Sequence, residues 1–238
     1  MNSEVQEISR GVVQAWHNKH KGGTCLILGA GPSLASFSPT KLAEIAEGKT
    51  VFAIKQAYLR CPSLVDYHFI NDNNFTPVTY DRFKTKVVVA VPANHVPAPL
   101  VQLADYLCCI EQNWEFNKSL SATHDFSSWT LSKQPLYRPW GPGITYEVVF
   151  YMAHHMGFAN IETIGWDLGP KGSLYRSHFY DEVKPVLVNP AASLNKLEAE
   201  KEIELTAGFA RWLTNEGVSL KILNHGSYAD DSIKREIC

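Results

Sequence analysis

Residues 24–34 read TCLILGAGPSL, an apolar run broken by two glycines and a proline. Thr24 to Leu28 has the length and composition of a buried strand. Gly29 and Gly31 turn the chain sharply, and Pro32 removes one N–H and stiffens the turn. A buried strand delivering a Gly-rich turn is the opening of a parallel α/β sheet, and the rest of the chain repeats that theme. Pro39 to Ala46 has helical spacing and stops at Gly48. Thr50 to Ile54 (TVFAI), Tyr67 to Ile70 (YHFI) and Lys86 to Val91 (KVVVAV) are three further strands. VPAPLVQLADYLCCIE holds a short helix and a strand. Tyr146 to Met156 is a helix with Val148, Val149, Met152 and Met156 on one face, and Ile161 to Ile164 is the strand after it. Leu194 to Glu216 is the strongest helix, and Leu220 to Leu223 is the last strand. At the start, Glu4 to His20 reads as a helix ended by Gly22-Gly23. Such alternation predicts one Rossmann-like α/β domain over residues 1–238: a mostly parallel sheet with helices on both faces. Two irregular stretches, near 112–140 and 170–190, read as lid-like insertions.

Composition narrows the function classes. The 238 residues are 45% hydrophobic and 19% charged, enough for a core that needs no disulfide or metal staple. Lys and Arg number 22 against 24 Asp and Glu, so bulk electrostatic binding of nucleic acid or an anionic membrane is not expected. No apolar run approaches a membrane span of about 20 residues, and MNSEVQEISRG lacks the apolar stretch of a signal peptide. The five cysteines form no CxxC pair. Cys25, Cys108 and Cys109 read as reduced core thiols, which fits a cytoplasmic protein.

The residues with chemical character cluster after strand ends, where ligands bind in open α/β sheets. In the first turn, Gly29, Ala30 and Gly31 let a phosphate approach the backbone, and Ser33 can cap a helix or donate to that phosphate. Leu34 stands where a GxGxxG fingerprint has its third glycine, and no GK[ST] follows as in a P-loop. Asn71, Asp72, Asn73 and Asn74 can read a ribose or a base edge, or simply form a turn. Trp140-Gly141-Pro142-Gly143-Ile144-Thr145 leads into a helix N-terminus, a ready ligand site. Tyr175-Arg176-Ser177-His178-Phe179-Tyr180-Asp181 puts a titratable His between two phenols, a guanidinium and a carboxylate. His225, at the last strand end, is a second candidate base. His154-His155 lies mid-helix and reads as packing or surface. No spacing typical of a metal site accompanies Asp72, and no motif for covalent catalysis is present.

Taken together, LILGAGPSL, FAIKQAY, HFINDNNF and GITYEVVFYMAHHMGFANIETIGWDLG resemble the bacterial lipooligosaccharide sialyltransferases. The same skeleton is similar to the 6-hydroxymethylpterin diphosphokinase-like family, in which G-x-G-P-S-L opens the domain and a helix leads to G-x-D-F. Only the GPSL turn and the GWD strand end are specific. Lys55 stands where the sialyltransferases have Asn, and GITYE where they have a Ser-Gly segment. The resemblance implies that Gly29, Ala30, Gly31, Pro32, Ser33, Lys55, Asn71, Asp72, Gly143, Ile144, Thr145, Gly165, Trp166 and Asp167 hold the nucleotide. It implies His178 as general base and Tyr175 and Tyr180 as contacts to the leaving phosphate.

The leading expectation is therefore a metal-independent glycosyltransferase. Its donor would be a nucleotide-activated sugar, CMP-linked and acidic, its acceptor a glycan, and no cofactor would be required. A homo-oligomer is allowed. The alternative is an ATP- and Mg²⁺-dependent pyrophosphoryl transferase with Asp72, Asp167 and Asp181 as metal ligands. A third reading is a nucleotide-binding module without chemistry.

Overall fold

Alternate residues of the short strands face opposite sides of one sheet, and both sides are apolar. Cys25 and Ile27 enter one buried cluster, while Leu26 and Leu28 enter another. Phe52 and Ile54 divide from Val51 and Ala53 in the same way. That period-two division is what a strand covered on both faces requires. The computed structural model describes residues 14–70, 80–81, 83–92, 98–110, 126–129, 148–168, 179 and 196–236.

Among these residues the strands are β1 (Thr24–Leu28), β2 (Thr50–Ile54), β3 (Tyr67–Ile70), β4 (Lys86–Pro92), β5 (Tyr106–Ile110), β6 (Asn160–Ile164), β7 (Ser219–Ile222) and β8 (Lys234–Arg235). They form one eight-stranded sheet in the order β5-β4-β3-β2-β1-β6-β7-β8. Every neighbouring pair is parallel. The helices are α1 (Pro39–Ala46), α2 (Ala98–Leu103), α3 (Phe150–His155) and α4 (Lys196–Asn215). On one face Phe150, Met152, Leu205, Phe209 and Leu213 from α3 and α4 cover Cys25, Ile27 and Phe52. On the other, Leu42, Ile45 and Ala46 of α1 cover Leu26, Leu28 and Val51. Ser38 starts α1 by accepting the Lys41 N–H, with Pro39 at the first helical position.

The chain builds outward from β1 through β5, then returns to add β6, β7 and β8 on the other side of β1. The sheet therefore reverses its winding between β1 and β6. That seam is where a crevice opens at the strand carboxyl ends.

Several expectations need correction. The N-terminal helix does not continue to His20: residues 14–16 are helical and residues 17–22 form turns. Asn18 adopts a left-handed φ of 57°, and its N–H donates to the His155 carbonyl at 3.0 Å, so a tertiary bond captures the chain early. Short 3-10 helices at Lys55–Arg60 and Pro62–Leu64, and strand β8, carry no clear periodicity in the sequence. A 3-10 turn at Phe126–Trp129 lies inside the stretch expected to be lid-like; Phe126 packs edge-on to Phe209 with ring centroids 5.4 Å apart. That turn belongs to the core. The stretch 170–190 lies outside the described residues except for Phe179. Cys25, Cys61 and Cys108 are buried, and burial pushes the Cys61 thiol up to about 11. No described helix is long and apolar enough to cross a membrane.

Candidate functional site

The seam between β1 and β6 is extended beyond the strands by backbone bonds. The Gly29 N–H donates to Ile164 O at 2.7 Å, and the Gly31 N–H to Gly165 O at 2.9 Å. The two backbones touch here. A Cβ on Gly29 would stand 2.4 Å from Gly165 O, and a Cβ on Gly31 would stand 2.5 Å from both Gly165 O and Asp167 Oδ2. The glycines are therefore demanded by the protein's own strand end, before any ligand is considered.

Asp167 fixes the turn. Its Oδ2 accepts the Ser33 N–H at 2.8 Å, and its Oδ1 accepts the Ser33 Oγ–H at 2.6 Å. Asn224, two residues past β7, donates its Nδ2 to the same Oδ1 at 2.9 Å and accepts the Gly165 N–H at 3.2 Å. Asp167 as a whole is only 5% exposed. Burial raises its pKa, while the bonds from Ser33 and Asn224 pull it back toward the charged form. Around it, Ser227 Oγ donates to Trp166 O at 2.7 Å and the Tyr228 N–H donates to Asp167 O at 2.7 Å. Arg235 in turn donates to the carbonyls of Ser227 and Ala229, holding that loop from β8. Three strand ends are thus joined into one rim.

The sequence-predicted residues fall into three groups. Gly29, Ala30, Gly31, Pro32 and Ser33 meet Gly165, Trp166 and Asp167 at this rim. Trp166 turns its ring into the core, 5.1 Å and edge-on to Phe150. Lys55 sits at the end of β2, on the other side of β1. Asn71, Asp72, Gly143, Ile144, Thr145, Tyr175, His178 and Tyr180 lie outside the described residues, as does Asp181. Yet Phe179, the residue after His178 in the chain, is described: its N–H donates to Ala30 O at 2.9 Å, and it packs, partly buried, against the apolar cluster on the α1 side of the sheet. His225 is exposed and follows Asn224.

The turn's amides are mostly spent within the fold. Gly29, Gly31 and Ser33 donate to β6 or to Asp167, Leu34 donates to Gly31 O, and Pro32 has no N–H. Among the described residues the Ala30 N–H makes no hydrogen bond, so it is the turn's remaining donor.

Sequence reasoning missed two participants. Asn224 stands in a strand-end cluster, but nothing in its spacing points to Asp167. His68 lies inside the apolar run YHFI, and a His buried on both faces of a sheet must find partners there. It does: Lys55 O at 2.7 Å from Nε2 and the Tyr80 hydroxyl at 2.8 Å from Nδ1. Burial pushes its pKa down to about 4, with the bond to Lys55 opposing. The unfolded chain takes up this proton at the usual 6.5, whereas the folded chain resists until about 4. Stability is therefore fully present above 6.5 and is lost as pH falls to about 4, on the order of 3 kcal/mol in all. Urea unfolding at stepped pH should show a steeper acid loss for wild type than for His68→Gln; parallel curves would refute it.

A separate recess of about 390 Å³ opens at the opposite, amino-terminal ends of β1, β6 and β7, between His17, Lys21, His154 and Glu216. His154 there pairs with Glu216 at 3.3 Å and lies against Trp212, which accounts for it without a ligand. Among the described residues no three His, Cys, Asp or Glu side chains gather to hold a metal ion.

No family model and no curated protein matches the sequence. The fold is similar to that of the MAf glycosyltransferase from Magnetospirillum magneticum AMB-1, with a TM-score of 0.51 and 13% identity. That match covers 98% of this chain but 38% of the other, so the chain spans well under half of that protein. The sialyltransferase CstII from Campylobacter jejuni, solved in complex with a substrate analogue, cytidine-5'-monophosphate, matches at a TM-score of 0.44 and 16% identity. It covers 87% of this chain and 82% of that one. At 13% identity the likeness to the first of these is one of fold alone.

Proposed function

We propose that the chain is a metal-independent glycosyltransferase that uses a nucleotide-activated sugar, CMP-linked and acidic, with His178 as general base. The observation that carries this reading is the Gly29–Ser33 turn, pinned by Asp167 at the point where the sheet reverses its winding. A nucleotide's phosphate fits the crevice outside such a seam. The fold shared with a glycosyltransferase supports the reaction class.

In the proposed reaction an acceptor hydroxyl attacks the donor's anomeric carbon as the bond to the phosphate oxygen breaks. His178 takes the hydroxyl proton, and Tyr175 and Tyr180 meet the departing phosphate. Support for His178 comes from its neighbour Phe179, whose backbone is bonded to Ala30 of the turn. The pyrophosphoryl-transfer alternative needs Asp167 as a metal ligand. Its two oxygens already accept three hydrogen bonds, which favours a structural role.

Thermal shift against CMP, CTP, ATP, UDP and NAD, each with Mg²⁺ and with EDTA, tests the donor class. Stabilisation by CMP that survives EDTA is expected. A response confined to ATP with Mg²⁺ would replace this reading by the diphosphokinase-like one. With a donor in hand, His178→Ala should lower kcat by about 10²–10⁴-fold with CMP affinity retained. Full turnover in His178→Ala, with loss in His225→Ala, would move the base to the end of β7.

A further inference from the structure

The loop after β7, residues 224–231, reads NHGSYADD and lies at the carboxyl end of the sheet. It is fastened from three sides. Toward β6, Ser227 Oγ donates to Trp166 O and accepts the Ala229 N–H at 3.3 Å, and the Tyr228 N–H donates to Asp167 O. From α4, Thr206 Oγ1 accepts the Asp230 N–H at 2.8 Å. From β8, the Arg235 guanidinium donates to the carbonyls of Ser227, Ala229, Asp230 and Ile233. Ala229 and Ile233 are buried.

Tyr228 stands outside this fixed frame. It is 46% exposed, and among the described residues its ring meets no other ring and its hydroxyl makes no hydrogen bond. Of the exposed large apolar side chains among the described residues, Leu59, Phe83 and Tyr228, it is the one whose backbone is bonded to Asp167. A tyrosine offers a rigid ring with an apolar face and a polar tip, and a backbone already ordered lowers the cost of binding through it.

The neighbours decide what fits. Residues 224–231 carry two carboxylates, Asp230 and Asp231, and no Lys or Arg. Hydrogen bonds from Ser232 hold the Asp230 carboxyl below its usual range, so it is a charged acceptor at neutral pH. Arg235 is committed to the loop's own carbonyls and to Asp231. The loop thus offers carboxylates where a phosphate would need cations. It suits an uncharged ligand with C–H groups on one face, to lie on a phenol ring, and hydroxyls at its edge, to donate to carboxylates. A sugar ring has both.

We propose that the loop 224–231 is a saccharide subsite for the acceptor, with Tyr228 as its stacking platform. The donor's anionic phosphate then keeps to the Gly29–Ser33 side of the seam, and the uncharged acceptor to the β7 side. That the saccharide is an acceptor rests on the glycosyltransferase reading above.

Saturation-transfer NMR on the full chain in the presence of CMP tests it, with the methyl glycosides of glucose, galactose, mannose and N-acetylglucosamine as probes. At least one should bind wild type. Tyr228→Ala should weaken that binding about tenfold, as loss of an aromatic anchor does, and Tyr228→Phe should retain it. CMP affinity by calorimetry should be equal in all three proteins. Because the residue is exposed, Tyr228→Ala should keep the wild-type Tm. Independently of any variant, the Tyr228 ring signals of wild type should shift with the bound glycoside. Glycoside binding untouched by Tyr228→Ala, or a Tyr228 ring indifferent to a bound glycoside, would overturn the proposal. Loss of CMP affinity in Tyr228→Ala would overturn it too, since the ring would then serve the donor. Wild type that binds CMP but none of the four probes removes this inference alone. Wild type that binds a glycoside through Tyr228 but not CMP removes the nucleotide-sugar reading and leaves a saccharide site at this loop.

Discussion

Asp167→Ala is expected to destabilise the fold by roughly 2–4 kcal/mol and to loosen the Gly29–Ser33 turn. The carboxylate accepts the Ser33 N–H, the Ser33 Oγ–H and one N–H of Asn224, and Asp167 as a whole is only 5% exposed. Truncation strands those donors away from water, each costing about 1–3 kcal/mol. An opposing effect keeps the sum below that of three lost bonds. Burial raises the pKa of Asp167, so ionising it inside the protein already costs something that alanine does not incur. Asp167→Asn separates charge from geometry. Its single oxygen can still serve two donors, but its amide then faces a third donor, the Ser33 N–H, and part of the loss should remain. Asn224→Ala should be strongly non-additive with Asp167→Ala, since both remove the same bond. Urea unfolding with unchanged m-values measures each. An Asp167→Ala variant within about 0.5 kcal/mol of wild type, the range of an ordinary surface change, would mean that Ser33 and Asn224 find other partners and that the carboxylate does not hold the rim.

How much of this was legible beforehand follows from what each feature depends on. β1, β2, β3 and α1 have the bounds read from the sequence, because each is a local apolar pattern bounded by Gly, an Asn-Asp run or, after β2, the polar pair Lys55-Gln56. The Gly29–Ser33 turn and the Gly165–Asp167 strand end were legible as separate signals for the same reason. Their mutual contact was not, since it depends on β6 returning to lie beside β1 rather than beside β5. No local pattern encodes that return. The roles of Ser33 and Asp167 follow from it: a hydroxyl and a carboxylate that read singly as ligand contacts are bonded to each other. Asn224 and His68 were obscure for a related reason. Their partners lie 57 and 13 positions away, at Asp167 and Lys55 respectively. A His inside an apolar strand signals that a partner exists but not which one.

Gly165→Ala should be the most damaging single methyl in the described chain, on the order of 4 kcal/mol or more. Two independent costs meet at this residue. Its φ of 78° is left-handed, where a Cβ costs about 1–2 kcal/mol. The added Cβ would also stand 2.3 Å from Gly29 O and 2.9 Å from Gly29 C, backbone atoms that no rotamer change can move aside. Moving them would part the Gly29 N–H from Ile164 O and the Gly31 N–H from Gly165 O, opening the sheet at its seam. Two controls separate the costs. Gly48 has a φ of 71° with nothing within 4 Å of a Cβ, so Gly48→Ala should show only the backbone cost. Gly29 is not left-handed, but its Cβ would meet Gly165 O at 2.4 Å, so Gly29→Ala should show only the collision. The order expected from urea unfolding is Gly165→Ala worst, Gly29→Ala next and Gly48→Ala mildest. Were Gly48→Ala and Gly165→Ala equal, the seam would be yielding enough to admit a methyl. The rim would then not be rigid enough to hold Ser33 and Asp167 in fixed register for a ligand.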